Sequence, residues 1–397
     1  MAKTIRGTQA LLALMLVFAA AGVAKERSHQ LPRRWSLPDG SVLKASPDTV
    51  PLLRPGDLSS RVISTLSVES PTSTSNKRAV ATFPTFKATV AVGRTKYPFT
   101  MVGSNPFLKK AKPVVVTVPI IPVVLQFSDG TVLDPTVAGG GCAGNTSALD
   151  LTLQSPLFRD VDYGEGVGRQ FVEEVRRMEF WAYTGPGRLN PNYSVRINPI
   201  VLPTLTLSPT AEVGMTESGQ CGRVGRVWGP AFDLLLRGVI LPQLPRFGVG
   251  TTAFPVFLVL NTLTDFPGVT AAGYHDRLSV GGQTYGISLF DSSGSISPDV
   301  SVLSHEIAEW YDDPYLNNVT PYWGHTGQVE GGCQNNLEVG DPLTHTLWPP
   351  VQMDNGFNYH LQETAFFSWF YRQVPSMGVG GWYSSFGTFL APAEPCF

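Results

Sequence analysis

The fold of this 397-residue chain is constrained most by one stretch, SVLSHEIAEWYDDP. Leu303, Ile307 and Trp310 recur at the i, i+4 and i+7 spacing of one helical face, which predicts a helix with one buried side. His305 and Glu309 are four residues apart on the opposite face, so their side chains are neighbours. The spacing therefore predicts a helix that turns a His and a Glu together towards whatever faces it.

The flanking residues predict where this helix begins and ends. Residues 297–299 (SPD) have the pattern of a helix start, with a Ser cap, a Pro in the first turn and an acid that the helix dipole favours. Pro314 marks the end. Asp312 and Asp313 face the negative end of the dipole, at a cost of a few tenths of a kcal/mol each. We therefore expect a nearby cation or Arg to compensate them.

His305, Glu306 and Glu309 form an HExxE pattern. In the related HExxH pattern two His on one helix face bind zinc, and the Glu acts as general base. A Glu at the second His position can still reach a metal that His305 binds. The expected divalent metal is Zn. Carboxylate ligands leave the ion less positive and widen the choice to Mn, Fe or Ca. A surface helix with ordinary charges is the competing interpretation.

The stretch SHEIAEWYDDP resembles the SHELxExxTDP signature of a family of secreted zincin-like proteins of bacteria, fungi and plants, to which the plant Exordium (phosphate-induced) proteins are more distantly similar. Other segments resemble further blocks of that family, although Glu174 stands where the family has a small residue. The resemblance spans roughly residues 114–390. The matching segments are SPLF at 155–158, the block at 170–181, AGYH at 272–275 and LEVGD at 337–341.

This resemblance implies an α+β, zincin-like fold, in which a twisted mixed sheet is backed by helices and the His305 helix lines a cleft. It also supports Glu338 and Asp341 of the LEVGD segment as a pair, one ligating the metal and one supporting a ligand. We favour Asp341 as the third ligand, with a simple Asp-stabilised turn as the alternative. Glu306 would be the general base. His275 is either a transition-state donor or a structural His.

The N-terminal part of the chain predicts export. Residues 1–24 have the basic start, short apolar run and small-residue cleavage sites of a signal peptide, and an uncleaved anchor is the alternative. Residues 25–78 are polar and rich in Pro and Ser, which predicts a disordered linker. Residues 79–111 contain short β-like runs, either a small β-appendage or a pro-segment. The predicted catalytic domain is 112–397, and no later segment predicts a membrane span.

Composition and cysteines agree with this prediction. Charged residues make up 15% of the chain, while Gly (40) and Pro (33) are abundant, which is typical of an exported, loop-rich β-containing protein. The net charge of −2 argues against nucleic-acid binding. Four cysteines in an exported chain predict two disulfides. Of the three connectivities we favour Cys142–Cys221 and Cys333–Cys396, because joining neighbours in the sequence demands least of the chain.

Hydrophobic patterns predict the elements around the motif. Residues 114–127 indicate a strand with bends, and residues 254–260 indicate a central strand. Residues 283–291 predict a strand just before the motif helix, where zincins bind substrate by edge pairing. Residues 167–182 predict an amphipathic helix that backs the catalytic domain. Its expected solvated face consists of Glu173, Glu174, Arg176 and Arg177.

Together these features predict a secreted metal-dependent hydrolase, a peptidase acting on a peptide or protein substrate. His305 and Glu309 would bind one divalent ion with Asp341 or Glu338. The alternative from another functional class is a non-catalytic binding or cell-surface protein on a degenerate zincin scaffold, which the Glu at the second His position keeps open.

Overall fold

The fold is described from a computed structural model. The described residues are 82–138, 141–279, 281–324, 333–375 and 379–396, together with an antiparallel pair at 35–36 and 42–43. The predicted signal peptide (1–24) and the rest of the predicted linker (25–78) lie outside the described residues, so both stay predictions.

The described strands and helices are as follows. The strands are β1 (Trp35–Ser36), β2 (Val42–Leu43), β3 (Thr85–Val92), β4 (Thr95–Val102), β5 (Val114–Gln126), β6 (Val132–Leu133), β7 (Val161–Asp162), β8 (Gly168–Arg169), β9 (Val195–Val201), β10 (Leu205–Leu207), β11 (Gly214–Gly219), β12 (Gly222–Trp228), β13 (Val256–Leu260), β14 (Thr262–Phe266), β15 (Val269–Ala271), β16 (Gly273–Arg277), β17 (Thr284–Phe290), β18 (Val319–Trp323), β19 (Gln334–Asn336), β20 (Val351–Gln352) and β21 (Asn358–Tyr359). The α-helices are α1 (Ala148–Gln154), α2 (Phe171–Glu179), α3 (Trp181–Thr184), α4 (Gly229–Leu235), α5 (Ser301–Asp312) and α6 (Phe367–Phe370). A π-helical turn at Leu236–Ile240 and 3₁₀ turns at Gly141–Ala143, Leu241–Phe247, Asp341–Leu343 and Val379–Gly381 complete them.

A mixed seven-stranded sheet forms the centre of the fold, in the order β10–β5–β13–β17–β16 with β6 and β9 also paired to β5. The pairs of β5 with β9, β10 and β13, and of β13 with β17, are parallel, whereas β16 is antiparallel to β17. Every residue of β13 and β17 is buried, as expected for strands covered on both faces. The α+β class, the mixed sheet and the central strand are confirmed.

The predicted edge position of the 283–291 strand is wrong. The corresponding strand, β17, lies between β13 and β16, and β16 is the end strand of this sheet among the described strands. The sequence showed an apolar run but could not show which strand pairs outside it, because that partner is set by tertiary topology. Any edge pairing with a peptide therefore falls to β16, which carries His275.

The β3–β4 hairpin packs into the same hydrophobic core as the motif helix. Phe86, Phe99 and Met101 are buried in that core, and the Phe99 ring centroid lies 4.7 Å from that of Phe367. The Oδ1 of Asn318 accepts the backbone N–H of Thr100 at 2.9 Å. The predicted domain boundary at 112 stays a prediction. A second, four-stranded sheet has the order β11–β12–β14–β15.

Helix α5 is the predicted motif helix, and two details of the prediction are wrong. It begins at Ser301 after Val300, because Asp299 adopts a left-handed φ of 38° and uses its side chain on the N–H groups of Val300 and His360. All twelve helix residues are buried, not one face. The helix lies between β16, β17, β4 and α2. Trp310 stacks on Phe254 with ring centroids 4.2 Å apart.

The predicted helix at 167–182 is divided into α2 and α3, and the solvated face assigned to it is wrong. Glu173, Glu174, Arg176 and Arg177 are all buried, each with a relative exposure of 4% or less. Arg176 pairs with Asp312 (2.6 Å) and Glu179 (3.3 Å), and Arg177 lies 3.8 Å from Glu174. Charge patterning along the chain cannot reveal partners more than a hundred residues away.

The two predicted disulfides are confirmed. Cys142 is bonded to Cys221 and Cys333 to Cys396, with Cα atoms 5.4 and 5.6 Å apart. The second bond joins the chain's C-terminal segment to the strand that leads into LEVGD. Among the described residues, no helix is long and apolar enough to cross a membrane.

Candidate metal centre

The first part of the site is the His305–Glu309 pair on α5. The Nε2 of His305 lies 3.1 Å from Oε2 of Glu309, so the i, i+4 spacing produces the predicted contact. Gly340 makes room for the ring, because a Cβ there would lie 2.7 Å from Cε1 of His305. Although burial alone would lower it, the Glu309 carboxylate raises the pKa of His305 well above its usual range.

Two other contacts orient these ligand groups. Gln362 places its amide nitrogen 2.8 Å from Nδ1 of His305 and donates to the Gly340 carbonyl at 2.8 Å. The Oε1 of Glu309 accepts the backbone N–H groups of Gly340 (3.1 Å) and Asp341 (3.3 Å). Burial would raise the pKa of Glu309, but His305 and these donors lower it overall. Glu309 is therefore held as a carboxylate whose Oε2 faces His305.

Asp341 completes a group of three side chains that could hold a metal ion. Its Oδ1 lies 3.7 Å from Nε2 of His305, and donor atoms of His305, Glu309 and Asp341 all lie within 4.8 Å of one another. The Asp341 side chain is 21% exposed, against 10% for His305 and 5% for Glu309. These are the three residues favoured from the sequence, and Asp341 is on their most solvent-accessible side.

Glu338 belongs to a second group of three. Its donor atoms lie within 4.8 Å of donor atoms of Glu309 and His275, so Glu309 is common to both groups. Burial, together with the carboxylates of Glu309, Asp313 and Asp341, raises the pKa of Glu338 well above its usual range. Neither Glu338 oxygen has a hydrogen-bond partner among the described residues. A cation that enters between Glu338 and Glu309 would relieve this arrangement.

His275 reaches the site from β16. Its Nδ1 lies 3.4 Å from Oε2 of Glu306 and 3.6 Å from Oε2 of Glu309, and its Nε2 lies 3.8 Å from Oε2 of Glu338. Burial would lower the pKa of His275, but Glu306 and Glu309 raise it overall. His275 is therefore a member of the site, and its Nε2 has no hydrogen-bond partner among the described residues.

Glu306, the predicted general base, lies beside the two groups of possible metal ligands but belongs to neither. It is 4% exposed, and burial raises its pKa although His275 and His305 oppose that shift. Gly273, at the start of β16, leaves room for the carboxylate, since a Cβ there would lie 2.8 Å from Oε1 of Glu306. The position agrees with a base role, which stays a prediction.

Of the two aspartates at the end of α5, Asp312 has the expected Arg, whereas Asp313 is held by backbone N–H groups. Arg176 forms an ion pair with Asp312 at 2.6 Å. Asp313 accepts the backbone N–H groups of Asn317 (2.9 Å) and Asn318 (3.0 Å). Neither aspartate belongs to the groups of possible metal ligands.

Sequence reasoning missed four residues that shape the site. Gly273 and Gly340 lie in segments that resemble the family's motifs, but the sequence does not show why each is a glycine. The structure shows that His305 packs against Gly340 and Glu306 against Gly273, where a Cβ would collide with them. The positions of Gln362 and Arg176 depend on contacts far along the chain. The sequence carries no signal for either role.

The site is more enclosed than the predicted cleft. The side chains of His275, His305, Glu306, Glu309 and Glu338 are each at most 10% exposed. A surface groove of about 460 Å³ lies elsewhere, beside Gln170 and Arg196, and none of the site residues lines it. Access to the site is therefore best from the side of Asp341.

Comparisons of the chain with protein-family models, curated proteins and solved structures found no match. The resemblance carried by the motifs stays an expectation.

Proposed function

We propose that this chain is a secreted, metal-dependent hydrolase and that its substrate is a peptide or protein. One observation carries the proposal: donor atoms of His305, Glu309 and Asp341 converge within 4.8 Å, and Gly340 and Gln362 fit around the imidazole. The two disulfides support the secreted location, because such bonds persist in oxidising compartments.

The residues fit a divalent cation. One imidazole and two carboxylates are a donor set that suits Zn, and also Mn and other cations that accept oxygen ligands. His305 can ligate only through a deprotonated Nε2, so Nδ1 would carry the proton. The Gln362 amide, whose nitrogen lies 2.8 Å from Nδ1, would then have to turn its oxygen to that proton and give up its bond to the Gly340 carbonyl. When bound, such an ion polarises a carbonyl and makes water a stronger nucleophile.

Glu306 has the position and environment of a proton acceptor. Its neighbours on the helix, His305 and Glu309, point to the metal group, whereas Glu306 points towards Gly273 and His275. Burial brings its pKa closer to neutral, which suits a group that takes a proton and returns it to a leaving amine. His275, 3.4 Å away, would orient the carboxylate.

The test compares Glu306→Gln with the wild type on a broad peptide library in the presence of Zn²⁺, Mn²⁺ or Co²⁺. The variant should keep its fold and the metal bound at His305, and lose on the order of 10²–10⁴ in rate. Glu217→Gln is the matched control, since the Glu217 side chain is 50% exposed on β11 and should leave the rate unchanged. Full activity in Glu306→Gln would rule out the base.

The enclosed site favours one competing function, a secreted binding protein that uses a metal for structure. Glu306 is 4% exposed, and a peptide must reach it past Asp341. If the wild type binds metal but cleaves no member of the library with any of the three ions, this second function replaces the first.

A further inference from the structure

We infer that the site holds a second divalent cation, bound by His275, Glu338 and the shared carboxylate of Glu309. This inference rests on the proposed function, because the first cation at His305, Glu309 and Asp341 is part of that proposal. It goes further by assigning His275 and Glu338 as ligands of a separate ion.

The first support is geometric. The donor atoms of His275, Glu309 and Glu338 lie within 4.8 Å of one another, as do those of the other group. The Oε2 of Glu309 lies 3.1 Å from Nε2 of His305 and 3.6 Å from Nδ1 of His275, whose Nε2 faces Glu338. The Glu309 carboxylate thus lies between the two imidazoles, and it is the one side chain that both groups share.

The second support is a set of buried polar atoms without partners. Glu338 is 4% exposed, and both of its oxygens lack a hydrogen bond among the described residues. The Nε2 of His275, which faces Glu338, also lacks one. Burying such groups unpaired is unfavourable, and more so when they are charged. All three atoms can ligate a metal ion. A cation between the Glu338 carboxylate and Nε2 of His275, which lie 3.8 Å apart, would give each of them a partner.

The third support is the way in which His275 is held. Its Nδ1 lies 3.4 Å from the Glu306 carboxylate while Nε2 faces Glu338. A ring whose one nitrogen donates to a carboxylate presents a free lone pair on the other, and this is the usual arrangement of a metal-ligating His. Glu306 would thus orient His275 in addition to its role as base.

The charge of the site agrees with two cations. Glu306, Glu309, Glu338 and Asp341 supply up to four negative charges, and no Lys or Arg in the described part of the chain forms an ion pair with the three glutamates. With the four carboxylates ionised and both imidazoles neutral, as metal binding requires, one divalent ion would leave an excess of about two negative charges and two ions would balance it.

The experiment measures metal stoichiometry on the full mature chain, using Mn²⁺ alone as the probe. After chelator treatment and dialysis, titration followed by elemental analysis should give two equivalents in the wild type. Electron paramagnetic resonance should show a spin-coupled pair in place of the six-line signal of isolated Mn²⁺. Glu338→Gln and His275→Gln should each bind one equivalent and show the uncoupled signal, and Glu309→Gln should lose both ions at the same concentrations.

The outcomes separate the two proposals. A wild type that binds one equivalent, lost in His305→Gln but retained with unchanged affinity in Glu338→Gln, overturns the second ion and leaves the proposed function standing. A wild type that binds none overturns both. The wild-type stoichiometry decides the question even if a variant fails to fold, and circular dichroism identifies such a variant.

Discussion

Two groups of buried carboxylates beside helix α5 are held in different ways. Near Asp312, the last residue of the helix, Asp312 and Glu179 share one Arg176, which lies 2.6 and 3.3 Å from them and stacks near Phe180 and Tyr311. One turn earlier, Glu309 is paired with the imidazoles of His275 and His305 and accepts backbone N–H groups, and Glu338 lies beside it.

The difference is informative because the surroundings are otherwise alike. Both groups are buried beside the same helix, and both contain carboxylates whose ionisation burial opposes. Burial raises the pKa of Asp312 to about 6 and also raises the pKa of Glu179, while Arg176 opposes both shifts. Glu338 has no hydrogen bond and no Arg or Lys beside it among the described residues, and Nε2 of His275 lies 3.8 Å from its Oε2. Arg176 supplies a permanent cation to Asp312 and Glu179, which is a structural role. Beside Glu338, the second ion proposed above would supply the cation.

The largest effect is expected from removing the built-in cation. Arg176→Met should lower the free energy of unfolding by about 3–5 kcal/mol, because it leaves two buried carboxylates without their Arg. Urea unfolding monitored by circular dichroism measures it. Arg223→Met is the matched control: the Arg223 side chain is 42% exposed, its partner Asp129 is 43% exposed, and its loss should cost far less. Equal losses in the two variants would contradict the structural role of Arg176.

A bound metal ion should stabilise the carboxylates around Glu309, as Arg176 stabilises those around Asp312. Divalent metal at about a thousand times its dissociation constant should add about 4 kcal/mol to the free energy of unfolding of the wild type. In Glu309→Gln, which removes the ligand common to both groups, the increment should disappear. Glu217→Gln should retain it. An increment of the same size in Glu309→Gln would show that the metal binds elsewhere.

A buried carboxylate with incomplete compensation gives the smallest of these effects. Burial, and then the nearby Glu165, raise the pKa of Glu174 to about 7, although Arg169 lies 3.4 Å away. The native state therefore holds this proton where the unfolded chain, with a pKa of about 4.5, has lost it.

It follows that the stability from Glu174 is complete below pH 4.5 and is lost as the pH rises from about 4.5 to 7. The loss should be roughly 3–4 kcal/mol, since each pKa unit corresponds to about 1.4 kcal/mol. Unfolding free energies of the wild type and Glu174→Gln between pH 4 and 8 measure it. The variant should have a flatter profile over this window. Parallel profiles would mean that Glu174 titrates normally.

Local patterns were sufficient for several features. The spacing of Leu303, Ile307 and Trp310 predicts α5, and the i, i+4 spacing alone places His305 beside Glu309, because helix geometry fixes that contact. The even cysteine count and the choice of sequence neighbours led to both observed disulfides. Such features depend on residues close in sequence or on a small number of alternatives.

Contacts between distant segments decided the rest. The sequence marked His275 and Glu338 as candidates, but only the packing of β16 and LEVGD against α5 brings both to Glu309. The charged residues of α2 looked solvated because helical periodicity records side-chain type and not what lies opposite. Arg176 is buried because Asp312, 136 positions later in the sequence, lies 2.6 Å from it. A charge can be buried where a partner meets it, and that partner is chosen by the tertiary fold.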